Sequence, residues 1–477
     1  MNLRLKFPPA WTARSGLLAL PLLLAGCVSM APNYQRPAAP VAASFPAADA
    51  AAKSGPAAAA VEWERFFPDA RLKSLIALAL QNNRDLRVAV LNIEQTRAQY
   101  QIRRADLLPT VNAGITGTRQ PNAAGTGTAS VYTAGIVVSS WEFDLFGRVR
   151  SLSNAALAQY FASEEARKSA QISLIAAVAN TYLSVLADDE LLALTRQTLV
   201  AREDSYRLTK LKFDNGVVSE IDFRQAETLV EGAKIALAQQ QRQRALDENA
   251  LVLLVGQPLP ANLPPGVPLA TTALGADLPA GLPSDLLTNR PDIRQAEQQL
   301  MASNANIGAA RAAFFPRISL TGSAGKVSTE LGSLFRGASA WTFAPQMLLP
   351  IFDTGRNLAG LDAANAGRDI AVAQYEKAIQ TAFREVADAL AGRATYGEQL
   401  RAQRAQADAE AVRYKLSDLR YQNGASSYLD LLDAQRSLFA AQQATVQTYL
   451  AQLQNQVTLY KVLGGGWTEA RPEAAGK

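Results

Sequence analysis

Of the side chains that carry nucleophilic, acid–base or metal chemistry, the 477-residue sequence has no histidine and a single cysteine, Cys27. That excludes imidazole–thiolate metal sites, Ser-His-Asp and Cys-His nucleophiles and any disulfide framework. Catalysis would fall to carboxylates, lysine or tyrosine, and no motif gathers them. The one thiol stands in a defined context. Residues 1–26 hold Arg4, Lys6 and Arg14 and no acid, followed by the apolar run Gly16 to Ala25. This is a basic n-region and an h-region too short to cross a bilayer, ending in small residues directly before Cys27. The chain carries 47 basic and 42 acidic residues, a net charge of +5. Without residues 1–26 the balance is 44 against 42, so the basic excess belongs mostly to an export signal and gives no reason to expect nucleic acid.

Leu24-Ala25-Gly26-Cys27 resembles the lipobox of bacterial lipoproteins, which implies cleavage before Cys27 and diacylation of its thiol. Two or three acyl chains anchor stably where one is marginal. Valine rather than aspartate at position 28 favours, in the lipoprotein-sorting pattern, the outer membrane.

The elements that follow are ordered by an internal duplication. Asp85-Leu86-Arg87 recurs as Asp292-Ile293-Arg294 and Pro109 as Pro316, both 207 residues later. The offset then becomes 208: Gly147-Arg148 matches Gly355-Arg356, Val178-Ala179 matches Val386-Ala387, and Asn215-Gly216 matches Asn423-Gly424. Asp222 matches Asp430, and Gly256 matches Gly464. The expected division is a signal peptide (1–26), a lipid-anchored extended Ala/Pro-rich tether (27–61), a first repeat (62–256), a linker (257–283), a second repeat (284–464) and a tail (465–477).

Each repeat predicts the same series. A helical stretch, about 72–108 or 290–315, stops at Pro109 or Pro316. Two strands of alternating pattern come next. Val111, Ala113 and Ile115 share one face, as do Tyr132, Ala134, Ile136 and Val138; the second copy has Ile318 and Leu320, then Trp341, Phe343, Met347 and Leu349. Segments near ten residues long, apolar on one face and small or polar on the other, fit transmembrane β-strands. From Gly147 to Phe213 and from Gly355 to Tyr421 no proline interrupts, so each run predicts a helix of roughly 100 Å. Val372, Ile379, Phe383, Val386 and Leu390, with Ile175, Val178 and Tyr182 in the first copy, fall at coiled-coil spacing. Asn215-Gly216 and Asn423-Gly424 end these helices, and helices at about 219–255 and 427–463 return.

Four strands cannot close a barrel, and an open sheet edge is not tolerated in hydrocarbon, so the chain must oligomerise. Three copies supply twelve strands and room for a lumen. The polar helices belong in water, and the object expected is a tube.

Trp-Glu-Phe-Asp-Leu-Phe-Gly-Arg (Trp141 to Arg148), Leu-Pro-Ile-Phe-Asp-Thr-Gly-Arg (Leu349 to Arg356) and the stretch Tyr428 to Leu438, together with the lipobox, resemble the TolC-like outer-membrane factors, nearest the OprM/NodT-type lipoproteins of RND efflux systems. The resemblance runs from about Trp63 to Gly466. It implies a mainly α fold with a small membrane β part: a homotrimer with a twelve-stranded barrel continued by a long periplasmic helical barrel, four strands per chain. It further implies a periplasmic adaptor (membrane fusion) protein and an inner-membrane RND transporter as partners, outer-membrane lipid as surroundings, no enzyme activity, no cofactor and no metal. By the family's layout, Gly216, Val217, Val218, Ser219 and Gly424, Ala425, Ser426, Ser427 form the periplasmic tip where the adaptor docks. Relatives narrow the closed tip with a carboxylate ring at a position that is Ser426 here; Asp214, Asp222, Asp418 and Asp430 stand near the turns as replacements, with Arg413 and Tyr421 as link partners. The alternatives are an outer-membrane channel of a type I/ABC or heavy-metal export system and, more distantly, a non-channel periplasmic coiled-coil lipoprotein.

Overall fold

The structure, a computed structural model, describes residues 29–45, 57–121, 125–275, 278–279, 281 and 283–467. It divides into two compact units. The first comprises residues up to 38 with 92–164 and 295–376, and the second comprises 39–91, 165–294 and the chain from 377 onward.

The first repeat opens with a short helix α1 (Trp63–Phe66), then α2 (Ala70–Asn82) and α3 (Arg84–Ala105). Strands β1 (Val111–Pro121) and β2 (Thr128–Glu142) follow, then helix α4 (Arg148–Asp214, 67 residues) and its return α5 (Glu220–Val255). The second repeat has the same series from the counterpart of α2 on: α6 (Pro283–Asn289), α7 (Pro291–Ala312), β3 (Arg317–Ser328), β4 (Ala338–Leu348), α8 (Arg356–Gln422, again 67 residues) and α9 (Tyr428–Val462).

The structure corrects the stretch expected at 72–108, which is two helices rather than one; the stretch expected at 290–315 is the single helix α7, with α6 before it. The break falls at Asn83, whose backbone is extended (ψ 132°). Its Oδ1 accepts the Leu86 N–H at 2.9 Å and its Nδ2 donates to the Leu254 carbonyl at 2.9 Å, so the side chain caps α3 and ties it to α5. Position 290, 207 residues on, breaks the second copy with a buried arginine that donates to the Val462 carbonyl and pairs with Asp292 and Glu385. A helix break with a bond back to the returning helix is thus kept in both repeats by different chemistry.

In the second unit the coiled-coil positions are core. Ile175, Val178, Tyr182, Ile379, Val386 and Leu390 are buried, whereas Val372, in the first unit, and Phe383 are half-buried. Phe66 stacks on Tyr460 with ring centroids 4.1 Å apart, and the Tyr460 hydroxyl donates to the Val61 carbonyl at 2.6 Å. This aromatic core gathers α1, α9 and the chain before α1 in a sequence otherwise rich in alanine.

Candidate functional site

The four strands form one antiparallel sheet in the order β1-β2-β3-β4. Register settles what each face presents. Val111, Ala113 and Ile115 lie opposite Val138, Ile136 and Ala134, which in turn continue to Gly322, Ala324 and Lys326 and on to Phe343, Trp341 and Ser339. A bulge between Val138 and Trp141, with Ser140 at φ 48°, brings Trp141 opposite Leu320 and so onto the same face. The other face carries Asn112, Thr116, Thr133, Ser323 and Thr342, with the Thr116–Thr133 and Ser323–Thr342 hydroxyls bonded at 2.6 and 2.7 Å. One face is therefore aliphatic and aromatic, the other small and polar, as a membrane strand between lipid and lumen requires. The apolar face is not covered: Ile115, Trp341, Phe343 and Met347 are 62–76% exposed. β1 and β4 each pair on one side only, leaving two open edges.

Where the strands join the helices, Glu142 on the polar face accepts both forks of Arg148 (2.8 and 2.7 Å) and Arg317 at 2.8 Å. Asp144 caps α4 by accepting the Val149 and Arg150 N–H groups at 3.1 and 2.8 Å.

Both helix turns have one backbone design. Gly216 (φ 72°) and Gly424 (φ 70°) hold the left-handed position that ends a helix. The next N–H reaches five residues back, Val217 to Lys212 and Ala425 to Arg420, each 2.8 Å, and the side chains of Asn215 and Asn423 donate to Leu211 and Leu419 at 2.7 Å. Val217 stands 69% exposed, Val218 and Ser426 are half-buried, and Gly216, Ser219, Gly424, Ala425 and Ser427 are exposed.

The seven candidate polar residues do not form one constellation. Asp214 pairs with Lys210 at 2.8 Å. Asp222 is spent on a capping box, accepting the backbone and hydroxyl of Ser219. Asp418 accepts from Gln422 at 2.8 Å, and the Asp430 N–H donates to the Ser427 hydroxyl at 3.3 Å. Arg413 is linked to Glu410 and, across its own hairpin, to Asp433. Tyr421 is buried, its ring 5.3 Å from Tyr428 and under the Lys212 ammonium at 4.3 Å. The Ser426 hydroxyl is buried and meets no hydrogen-bond partner among the described residues.

An outer membrane efflux protein family model matches residues 75–257 and 282–465. The chain is 50% identical over 462 residues to the toluene efflux pump outer membrane protein TtgC of Pseudomonas putida, covering 95% of each chain. It is 47% identical over 470 residues to the outer membrane protein OprJ of Pseudomonas aeruginosa, covering 97% of each. Among solved structures it is similar to the open state of the Neisseria gonorrhoeae MtrE outer membrane channel (TM-score 0.85, 44% identity, 92% of this chain and 99% of that one).

The chain belongs to the outer membrane efflux protein family. The TolC-like architecture expected from the sequence is the one found, and this efflux protein is an outer-membrane channel whose relatives are channel proteins. Motif reading missed several residues of its helix hairpins. Lys212, Tyr428 and Asp433 complete the contacts of Tyr421 and Arg413. With Tyr421, Tyr428 joins Leu431, Leu432, Ala226 and Leu229 in a cluster that packs α5 against α8 and α9. Arg202 is buried between Phe439, 5.3 Å away, and the Leu229 carbonyl, and burial holds its pKa below the ordinary arginine value. Asp188 on α4 faces Asp247 on α5, and burial, reinforced by that second carboxylate, pushes its pKa up to about 7. The 3.6-residue pattern could have marked these positions as inward; it could not say which inward polar groups would meet.

Cys27 lies outside the described residues. From Met30 to Arg36, the segment expected as an extended tether lies along α7 of the channel. Arg36 forks onto Glu297 at 2.7 and 2.8 Å, and Tyr34 donates to the same carboxylate at 3.0 Å. The Pro32 carbonyl accepts from Asn304 at 2.7 Å and the Met30 carbonyl from Arg311 at 3.4 Å. Gly308 admits the segment: a Cβ there would stand 2.8 Å from the Ala31 backbone. Followed toward the N-terminus, the segment runs toward the end of α7 that leads into β3. Burial and Glu297 together raise the Tyr34 pKa.

Proposed function

We propose that this channel is the exit duct of a tripartite pump, a homotrimer that receives its cargo from an inner-membrane RND transporter through a periplasmic adaptor. The observation that carries the reading is the four-stranded sheet with one apolar face, one polar face and two open edges. β1 and β4 run in opposite directions, so β4 of one copy can pair antiparallel with β1 of the next. Three copies close a twelve-stranded ring without a free edge, with the polar face lining a lumen. The helices continue the duct into the periplasm.

The cargo class is apolar solvents and drugs, by analogy with relatives named for toluene and antibiotic efflux. The duct performs no bond chemistry; it supplies a sealed path. The adaptor docks on the two turns, Gly216 to Ser219 and Gly424 to Ser427, where glycine lets a partner backbone come close. Closure of the tip is assigned to Arg413 with Asp433, to Tyr421 with Lys212, to the carboxylates Asp214, Asp418 and Asp430 and to Ser426, while Asp222 adds its charge from within its cap. Cys27 carries the acyl anchor; the docked segment from Met30 to Arg36, which runs toward the end of α7 that leads into β3, supports that reading.

The test is deletion in a strain without redundant channels, followed by susceptibility to toluene and a panel of antibiotics. Sensitisation restored by the intact gene is expected. Unchanged susceptibility to the whole panel would overturn the reading.

A further inference from the structure

Four residues within the strands are charged: Arg119, Glu142, Arg317 and Lys326. Glu142 and Arg317 lie on the polar face where the strands meet the helices, and they are paired with each other and with Arg148. Arg119 and Lys326 lie on the opposite face and toward the opposite, hairpin ends of the strands. Arg119 follows in the row of Val111, Ala113 and Ile115, and Lys326 in the row of Ile318, Leu320 and Ala324. Lys326 stands eight residues up β3 from Ile318, about 27 Å along the strand and about 20 Å in height at the usual barrel tilt of about 40°, which brings it toward the outer part of an apolar band of about 25 Å. Ile115 is level with Lys326 through Ala134, and Arg119 stands four residues farther out.

Neither cation has a carboxylate. The Arg119 guanidinium reaches the Thr128 hydroxyl at 3.3 Å, the Lys326 ammonium reaches the Ser339 hydroxyl at 3.2 Å, and among the described residues neither forms an ion pair. Tyr132 and Trp341, aromatic residues of the kind that sit at a membrane boundary, share their face. Two cations of one sign, rooted on the lipid-facing side, at the outer rim and without a protein counter-charge among the described residues, are placed to pair with an anion supplied by the membrane.

We propose that Arg119 and Lys326 bind the phosphate groups of an outer-leaflet glycolipid. The inference rests on the reading of the apolar face as lipid-facing and of the hairpin ends as exterior. A soluble phosphate is not the occupant, because Lys326 starts beside Ile136 and Trp341 and Arg119 beside Tyr132, on the face where lipid and not water is the neighbour. The fork of Arg119 suits a phosphate oxygen pair, and Lys326 adds a point charge.

Purified full-length trimer, stripped of lipid in detergent, is offered bisphosphorylated lipid A, its fully dephosphorylated form or phosphatidylglycerol, and retained lipid is counted by native mass spectrometry. Lipid A is expected to be retained over both others. The double substitution Arg119→Gln with Lys326→Gln should reduce lipid A retention at least about tenfold. Arg119→Lys with Lys326→Arg should keep most of it. Unchanged retention in the glutamine variant overturns the proposal. Should that variant fail to assemble, the unaltered trimer decides: equal retention of lipid A and its dephosphorylated form, or of phosphatidylglycerol, overturns it. Binding is read on isolated protein, so its failure is separable from a failure of the export reading, which susceptibility measures.

Discussion

The two helix hairpins share a turn and differ in nearly everything attached to it. Asn-Gly, the left-handed glycine and the N–H bond reaching five residues back are the same at Gly216 and Gly424. Around the first turn, Phe213 stacks on Phe223 at 5.1 Å and Phe223 on Tyr206 at 5.5 Å, and the Ser219–Asp222 box closes the start of α5 with both arms. Around the second, the corresponding cap has one arm, Ser427 to the Asp430 N–H, and α8 is held to α9 by the charged link from Arg413 to Asp433. Next to its turn, the first hairpin is closed by stacked rings and a two-armed cap. The second adds to its buried Tyr421–Tyr428 cluster a charged link open to water. Duplication preserved the backbone geometry, because only a narrow set of residues permits it, and left the side chains free to diverge toward different roles.

The largest expected effect tests what the hairpins share. No atom lies within 4 Å of a Cβ built at Gly216 or Gly424, so Gly216→Val and Gly424→Val strain only the backbone, by about 1–2 kcal/mol each. Both should abolish resistance while the trimer still reaches the membrane. Loss at one turn alone would mean that the adaptor reads a single hairpin.

A smaller effect tests a difference in pH response. Asp188 and Asp247 of the first hairpin correspond, 208 residues on, to Tyr396 and Asn455, and Asn455 simply donates to the Ala389 carbonyl at 2.9 Å. Asp188 has its folded pKa raised from 3.8 to about 7, so the stability it contributes is fully present below pH 4 and is lost as pH rises through 7. Asp188→Asn should flatten the decline of thermal midpoint between pH 4 and 8 and raise the midpoint at pH 8. An unaltered pH profile would remove this asymmetry.

Capping comes next. Ser219→Ala, which breaks a two-armed box, should cost about 1 kcal/mol in denaturant unfolding, and Ser427→Ala less. Equal losses would make the two starts equivalent. The smallest stability change is expected for Arg413→Ala, since an exposed pair is worth about 0–1 kcal/mol, yet single-channel conductance should rise. Lys210→Ala, removing the exposed pair with Asp214 in the first hairpin, should leave conductance as it was.

Much of the architecture was legible because it is written in periods and breakers. The helix predicted from Gly147 to Phe213 spans Arg148–Asp214, and the one from Gly355 to Tyr421 spans Arg356–Gln422. Strand faces followed from alternation, and Val111, Ala113 and Ile115 do share the face of Ile136 and Trp341. The break at Asn83 escaped notice because its cause is a bond to Leu254, 171 residues away. Docking of the tether escaped for the same reason: Ala/Pro-rich composition reads as an extended linker, and nothing local announces that Arg36 meets a buried Glu297.

The candidate tip divides along the same line. Local chemistry named the turns correctly, since Asn-Gly needs no distant partner to end a helix. It could not tell that Asp222 is consumed by a cap while Arg413 finds Asp433, because a carboxylate looks the same in sequence whichever cation it meets. Repeat, signal, element order and the polarity of each strand face are short-range properties, and the chain alone was enough to state them. Which buried polar groups face one another, which edges stay open and which cations are left without a counter-charge depend on contacts between residues far apart in the chain, and folding alone decides those.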